Sequence, residues 1–232
     1  MQAEAGSLKE QALTRGAALF GIADLDRIRK ETDLLDARYD IHKRGISIGV
    51  VLSPTALAGI KHGPTQEYCQ EYLRVNLLLD AIAEETTSNI AAKGYRAERI
   101  PASQVVDWER LRGHVSHKLI GRYAGHGWIG KSILLVHDRY GARVRYVTVL
   151  TDMPLEPHGP TEKNCGVCDR CARACPAAAI GDAPADFNLR ACFEQLVRFN
   201  ESLGEPHFIC GLCVSACGGK SSHGTNSNTA SG

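Results

Sequence analysis

Eight of the nine cysteines in this 232-residue chain stand between Cys165 and Cys217, and their spacing limits what the last third can fold around. The first group reads Cys165-x2-Cys168-x2-Cys171-x3-Cys175-Pro176, and the second Cys210-x2-Cys213-x3-Cys217. Cys192 lies between them, in a run from Leu189 to Phe199 with helical patterning. Three thiolates at such short intervals converge on one compact iron–sulfur cubane, while a fourth, three residues on and followed by proline, points to a different cluster. This crossing rule assigns Cys165, Cys168, Cys171 and Cys217 to one 4Fe–4S cluster. Cys175, Cys210, Cys213 and, by elimination, Cys192 are left for another. Cys192 is displaced upstream of its place in a complete second run, and Gly218 rather than proline follows Cys217. Zinc is the competing assignment, but zinc sites pair one Cys-x2-Cys with another about 12–20 residues away, which a triple repeat does not suit.

Composition narrows the setting. Hydrophobic content of 44% and charged content of 23% are those of a globular chain, and a net charge of +1 offers no electrostatic argument for nucleic acid or an anionic membrane. No stretch approaches the roughly 18 consecutive apolar residues of a membrane span, so no membrane partner is expected. The opening residues Met1 to Glu10 have neither the basic region nor the apolar run of a secretory signal. A cytoplasmic protein is therefore expected, in reducing surroundings where clustered cysteines signal metal rather than disulfides. Cys69, alone in a long helical pattern, reads as a small core residue.

Upstream of the cysteines the pattern alternates between helix and strand. Ser7 to Phe20 reads as an amphipathic helix, Leu19 to Ala23 as a short strand, and Gly45 to Leu52 as a buried β-branched strand. Pro64 opens a long helix, Thr65 to Lys93, that Gly94 ends, with Tyr68, Tyr72 and Asn76 on one face. Tyr95 to Ile100 follows as a strand and His114 to Tyr123 as a helix. Ser132–Val136 and Val144–Leu150 read as two strands joined in a hairpin by the turn Asp138 to Gly141. Prolines 154, 157 and 160 mark a linker, and the small polar tail Ser221 to Gly232 is expected to be disordered.

Gly125-His126-Gly127-Trp128-Ile129-Gly130-Lys131-Ser132 matches the phosphate-loop pattern letter for letter. That mechanism needs a strand before the loop and a helix after it, and here the order is reversed. The three glycines call instead for close approach of the backbone to something large and flat, or for a strained turn.

At this point the chain resembles the epoxyqueuosine reductase family. Ala124-Gly125-His126-Gly127-Trp128-Ile129-Gly130-Lys131, then Leu150-Thr151-Asp152-Met153-Pro154-Leu155, then the two cysteine motifs are similar to that family's AGLGWIGK, LTDLPL and displaced-ligand cluster spacing. The resemblance, shared with the related corrinoid reductive dehalogenases, implies a cobalamin cofactor beside the two clusters. It also implies a nitroreductase-like domain to carry it. On that reading Gly125, Gly127, Trp128, Ile129, Gly130 and Lys131 line the corrin ring. The family's Asp-Thr-Gly-Pro motif, whose Asp is the proposed proton donor, is absent; Leu111-Arg112-Gly113-His114 occupies its place. Nor is there a helical-repeat extension after Cys217. In place of the acid stand Ser103 and Gln104, and then His114, His117 and Lys118, with both histidines expected to project alike from one helix and reach the cofactor. No catalytic residue is assigned.

The expected architecture is thus an α/β (α+β) chain: a nitroreductase-like cofactor domain over residues 1–155 and a small double-cluster ferredoxin-like domain over 156–220. The expected activity is that of an iron–sulfur oxidoreductase of the epoxyqueuosine reductase type, feeding electrons from an unidentified donor to a corrinoid and on to an unknown substrate. The alternative is a ferredoxin-like electron-transfer protein with no catalysis of its own, such as one that reduces a separate corrinoid protein. The expected acceptor over both readings is a small molecule or a corrinoid protein. The neutral net charge gives tRNA no support as a partner.

Overall fold

The computed structural model of the chain describes residues 2–219 apart from 104, 108, 110, 112 and 204–207. In chain order the elements are α1 (Gln2–Thr14), β1 (Leu19–Asp24), α2 (Leu25–Glu31), β2 (Arg44–Val51), α3 (Pro54–Ala58), α4 (Gln66–Ala91) and β3 (Ala97–Ile100). They continue with α5 (His117–Tyr123), β4 (Trp128–Ile129), β5 (Leu135–Val136), β6 (Val144–Thr151), α6 (Arg170–Arg173), α7 (Leu189–Leu203) and α8 (Leu212–Ala216). The fold is mixed helix and sheet. Its main sheet runs β1-β2-β6-β3, every pair antiparallel.

Alternation along the strands sends side chains to two different layers. Ile46, Ile48 and Val50 of β2 and Val147 and Val149 of β6 join the core beneath α4 and α1. On the other face Leu150 packs with Leu119, Ile120 and Tyr123 of α5. Because both faces are covered, β6 is buried along nearly its whole length and has no solvent-exposed face. The helix α4 starts where Thr65 accepts a hydrogen bond from the Tyr68 amide, and Gly94 at φ +83° turns the chain after it.

Close contact between α5 and the sheet depends on small residues. A Cβ on Gly21 would stand 2.3 Å from the Ala124 carbonyl oxygen, and one on Gly45 would stand 3.0 Å from Ile120. Two histidines then tie this layer to the sheet. His126 Nε2 donates to the Ser47 carbonyl at 3.1 Å, and its ring stacks on Tyr146. His117 Nε2 donates to the Pro101 carbonyl at 2.9 Å, leaving Nδ1 to accept from the Thr148 hydroxyl at 2.8 Å. Desolvation brings both imidazoles down to about 4, so both are neutral near pH 7.

Several expectations are corrected. The first helix lies earlier than Ser7–Phe20, because Gly16 at φ +105° breaks it before β1. The helix expected from His114 begins only at His117, since the Ser116 side chain accepts the Leu119 amide and caps it there. His114 therefore precedes the helix and contacts Arg38 instead of sharing a helical face with His117. The expected hairpin does not form. Ile133 at φ +53° interrupts the first run, so only Leu135–Val136 is a strand, and it pairs with β4, while β6 enters the main sheet between β2 and β3. The proline-marked linker has no regular structure yet is docked: Met153 and Leu155 are core residues, and His158 exchanges two hydrogen bonds with the backbone of Ile22. The tail from Ser221 lies outside the described residues.

Gly127 adopts φ +146°, and a Cβ there would fall 1.9 Å from the Val136 carbonyl oxygen. Gly127→Ala should therefore destabilise the fold by about 2–4 kcal/mol. Gly6→Ala, in α1 with open space around it, should add about 0.5–1 kcal/mol. Chemical denaturation of the two variants checks both. The neutral histidines give a signed pH dependence: their folded pKa is depressed, so their stabilisation is complete above about 6.5 and is lost as pH falls toward about 4. At about 1.4 kcal/mol per pH unit each accounts for up to about 3 kcal/mol. Thermal melts between pH 7 and pH 4.5 should show this loss, and His117→Gln combined with His126→Gln should reduce it.

Candidate functional site

Seven of the eight motif cysteines lie in or beside short turns and one-turn helices, and the eighth, Cys192, is on the longer helix α7. Cys165 and Cys168 precede α6, Cys171 lies within it, and Cys175 follows it. Cys192 lies on α7, and Cys213 on α8 just after Gly211 at φ +82°. A Cβ on Gly211 would meet the Tyr68 ring at 2.6 Å, so this turn sits directly on α4. Ile209 and Leu212 are members of the main core, and Ser215 donates to the Leu57 carbonyl. At the other end, a Cβ on Gly141 would stand 2.2 Å from the Cys217 carbonyl oxygen, placing the last motif cysteine against the turn before β6.

No disulfide links any of the nine cysteines. Cys69 is buried in the core of α4, as the sequence suggests. Four of the others, Cys175, Cys192, Cys210 and Cys213, border a single cavity of about 170 Å3. Burial pushes the Cys213 thiol up to about 12, and its neighbours Cys210, Cys192, Cys171 and Cys175 push the same way. Burial likewise raises Cys210 to about 11, with Cys192 and Cys175 adding to it. Cys171 is raised first by burial and then by Cys217, Cys165 and Cys168. Neighbouring thiolates that repel one another need a bound cation or cluster to hold them ionised together. Among the described residues no group of three or more His, Cys, Asp or Glu side chains is arranged to hold one metal ion. Four sulfurs spread around a cavity, rather than converging on one point, would suit a polynuclear cluster better than a single ion.

One positive group and one neutral donor accompany the first thiols. Backbone and side-chain hydrogen bonds from Arg170 lower the Cys168 thiol, and the Trp128 indole donates to Cys165 Sγ at 3.4 Å. A Cβ on Gly130 would stand 3.1 Å from the same sulfur. The glycine segment is thus a tight turn backing Cys165.

A larger cavity of about 710 Å3 opens beside the thiol cavity. Its size is within the range of small-molecule and cofactor sites. Ser103, His117 and Lys118 line it, as do Leu111, Gly113 and His114, which occupy the place of the absent acid motif. Gly125, Gly127, Trp128, Ile129, Gly130 and Lys131 are not among its described lining residues. Gln104 and Arg112 lie outside the described residues. The sequence reading did not select Tyr72 and Arg145, which dominate the polar wall. Arg145 stacks 4.2 Å from the Tyr72 ring centroid and donates to Asn76 Oδ1, Tyr72 Oη and the Ala102 carbonyl. Tyr72 Oη and Ser103 Oγ share a hydrogen bond of 3.0 Å. Burial alone would raise the Tyr72 phenol, but Arg145, Ser103 and Asn76 together bring it below its ordinary value. The signal available in the sequence was the shared helical face of Tyr68, Tyr72 and Asn76; nothing local marked Arg145. Lys118, Ile133, Leu134 and Leu189 line both cavities and form the wall between them.

No family model matches the chain. An epoxyqueuosine reductase of Gloeobacter violaceus is 35% identical over 115 residues, which cover 45% of this chain and 36% of that enzyme. The chain spans little more than a third of the length of that curated relative. Among solved structures, an epoxyqueuosine reductase with an epoxyqueuosine-modified tRNA-Tyr stem loop superposes with a TM-score of 0.58 at 19% identity, covering 83% of this chain and 56% of the neighbour. A reductive dehalogenase, whose structure is described as suggesting a mechanism for B12-dependent dehalogenation, superposes with a TM-score of 0.61 at 19% identity, covering 75% and 25%. In sequence the chain resembles the epoxyqueuosine reductases, and it shares a fold with them and with the reductive dehalogenases.

Proposed function

We propose that the chain is an iron–sulfur oxidoreductase of the epoxyqueuosine reductase type, holding two 4Fe–4S clusters on its eight motif thiols and a corrinoid in its large cavity. When bound, these groups would supply the electron storage and reducing chemistry that side chains cannot. The observation that carries the reading is the shared wall: a thiol-bordered cavity and a cofactor-sized cavity have Lys118, Ile133, Leu134 and Leu189 in common among their described lining residues. Cys175, Cys192, Cys210 and Cys213 would hold the inner cluster, and Cys165, Cys168, Cys171 and Cys217 the outer one. Residues 156–220 then act as the two-cluster unit, seated on a cofactor unit of residues 1–155.

The chain's own residues divide the remaining work. Ile133, Leu134 and Leu189 exclude water between the two cavities. Arg145, locked by Asn76 and the Ala102 carbonyl, presents a fixed positive charge and holds the Tyr72 hydroxyl in place. With no acid in the family's position, Tyr72 Oη is the proton-bearing group best placed in the cavity, since Arg145 eases loss of its proton. His117 is neutral and donates to Pro101, so it orients the wall rather than supplying charge. Electrons would come from an upstream donor protein. The tRNA stem loop bound by one solved neighbour makes tRNA a substrate to test, although a net charge of +1 lends it no electrostatic support.

Anaerobic reconstitution should give roughly eight iron and eight sulfide per chain. Cys192→Ala should lose about half of each while Cys69→Ala keeps both in full. Two intact clusters in Cys192→Ala would refute the ligand assignment. Cluster-loaded protein should bind hydroxocobalamin with a change in its visible spectrum. If it binds none, the chain is an electron carrier serving a separate acceptor. Rescue of a queuosine-deficient strain by this chain decides whether epoxyqueuosine in tRNA is its substrate.

A further inference from the structure

Lys118 is the second residue of α5, and it lines both the thiol cavity and the large cavity. Cys192, Cys175, Cys210 and Cys213 border the thiol cavity with it; burial lowers the Lys118 ammonium from its ordinary value, and Cys192 opposes that shift. Among the described ion pairs, no carboxylate partners Lys118. The apolar residues Ile133, Leu134 and Leu189 complete the wall, so little polar material screens the ammonium from the thiols. The helix cannot retreat from this position, because Gly21 and Gly45 seat it on the sheet and His117, one residue earlier, is anchored to Pro101 and Thr148.

An iron–sulfur cluster gains one negative charge on reduction, so net charge nearby is one of the factors that set its potential. A positive charge held beside one ligand favours the reduced form of that cluster and leaves a more distant cluster less affected. We propose that Lys118 is a positioning residue that raises the reduction potential of the cluster held by Cys175, Cys192, Cys210 and Cys213 above that of its neighbour. The proposal rests on the reading that these four thiols hold a cluster. In the transfer it favours, the outer cluster is oxidised by one electron and the inner cluster reduced by one. No bond breaks and no proton moves. An upstream one-electron reductant restores the outer cluster. Lys118 thereby gives the electron path a direction, toward the large cavity.

The test uses the full chain with both clusters reconstituted, in an anaerobic titration with dithionite followed by electron paramagnetic resonance. In Lys118→Met one midpoint potential should fall by about 59 mV or more, a tenfold change in the one-electron equilibrium, while the other stays in place. Lys118→Arg should restore most of the shift, and Lys118→Gln serves as the neutral variant if the methionine variant does not take up full iron. Two unchanged potentials in the neutral variant overturn the proposal, as does an equal shift of both. Wild-type protein with only one cluster would instead defeat the ligand assignment, a result visible in iron content before any potential is measured.

Discussion

The seating of one short helix on a glycine-lined patch of sheet governs where everything else can stand. With side chains at Gly21 and Gly45, α5 would be pushed off β1 and β2, and the histidine bonds to Ser47, Pro101 and Thr148 would be broken. Seated closely, α5 delivers His117 and Lys118 to the edge of the large cavity and starts the tight turn through Gly125 and Gly127. That turn in turn brings Trp128 and Gly130 against Cys165. A packing constraint on one face of the sheet is thus transmitted through a few residues to the first cysteine motif.

The second motif is fixed from the opposite layer. Gly211 lies on the Tyr68 ring, and Ile209 and Leu212 enter the core that α4 organises. The same helix carries Tyr72 and Asn76 to the large cavity, where they hold Arg145. One helix therefore supports both the thiol cavity and the polar wall of its neighbour. Rigid positioning of this kind is what electron transfer over a short gap and recognition of a bound molecule both require.

Electrostatics differ between the two cavities. The smaller is bordered by thiols whose burial and mutual repulsion favour the protonated forms. The larger has Lys118 and Arg145 as its fixed charges among the described lining residues, with no acidic side chain in that wall. Its histidine at position 117 is kept neutral by desolvation, which outweighs the hydrogen bond to the Pro101 carbonyl. Positive charge at the wall between the cavities suits a path along which negative charge moves.

Much of this was legible in the residues. Cysteine spacing, with Cys192 added by elimination, grouped Cys175, Cys192, Cys210 and Cys213, and these four border one cavity. The long helix and its Tyr68–Tyr72–Asn76 face followed from helical periodicity and capping, which are also local. Periodicity could not decide that β6 enters the main sheet rather than a hairpin, since strand pairing depends on partners distant in sequence and on the break at Ile133. Nor could it show that Ser116 delays the helix and separates His114 from His117. Arg145 carried no local mark, and the glycine segment was legible as a close approach without naming what approaches. Sequence by itself determined the grouping of the thiols and the long helix beneath the second motif, because both are set by local spacing. Only the tertiary structure decided that the thiol cavity and the large cavity share a wall at Lys118, because that contact joins residues far apart in the chain through packing on a common sheet.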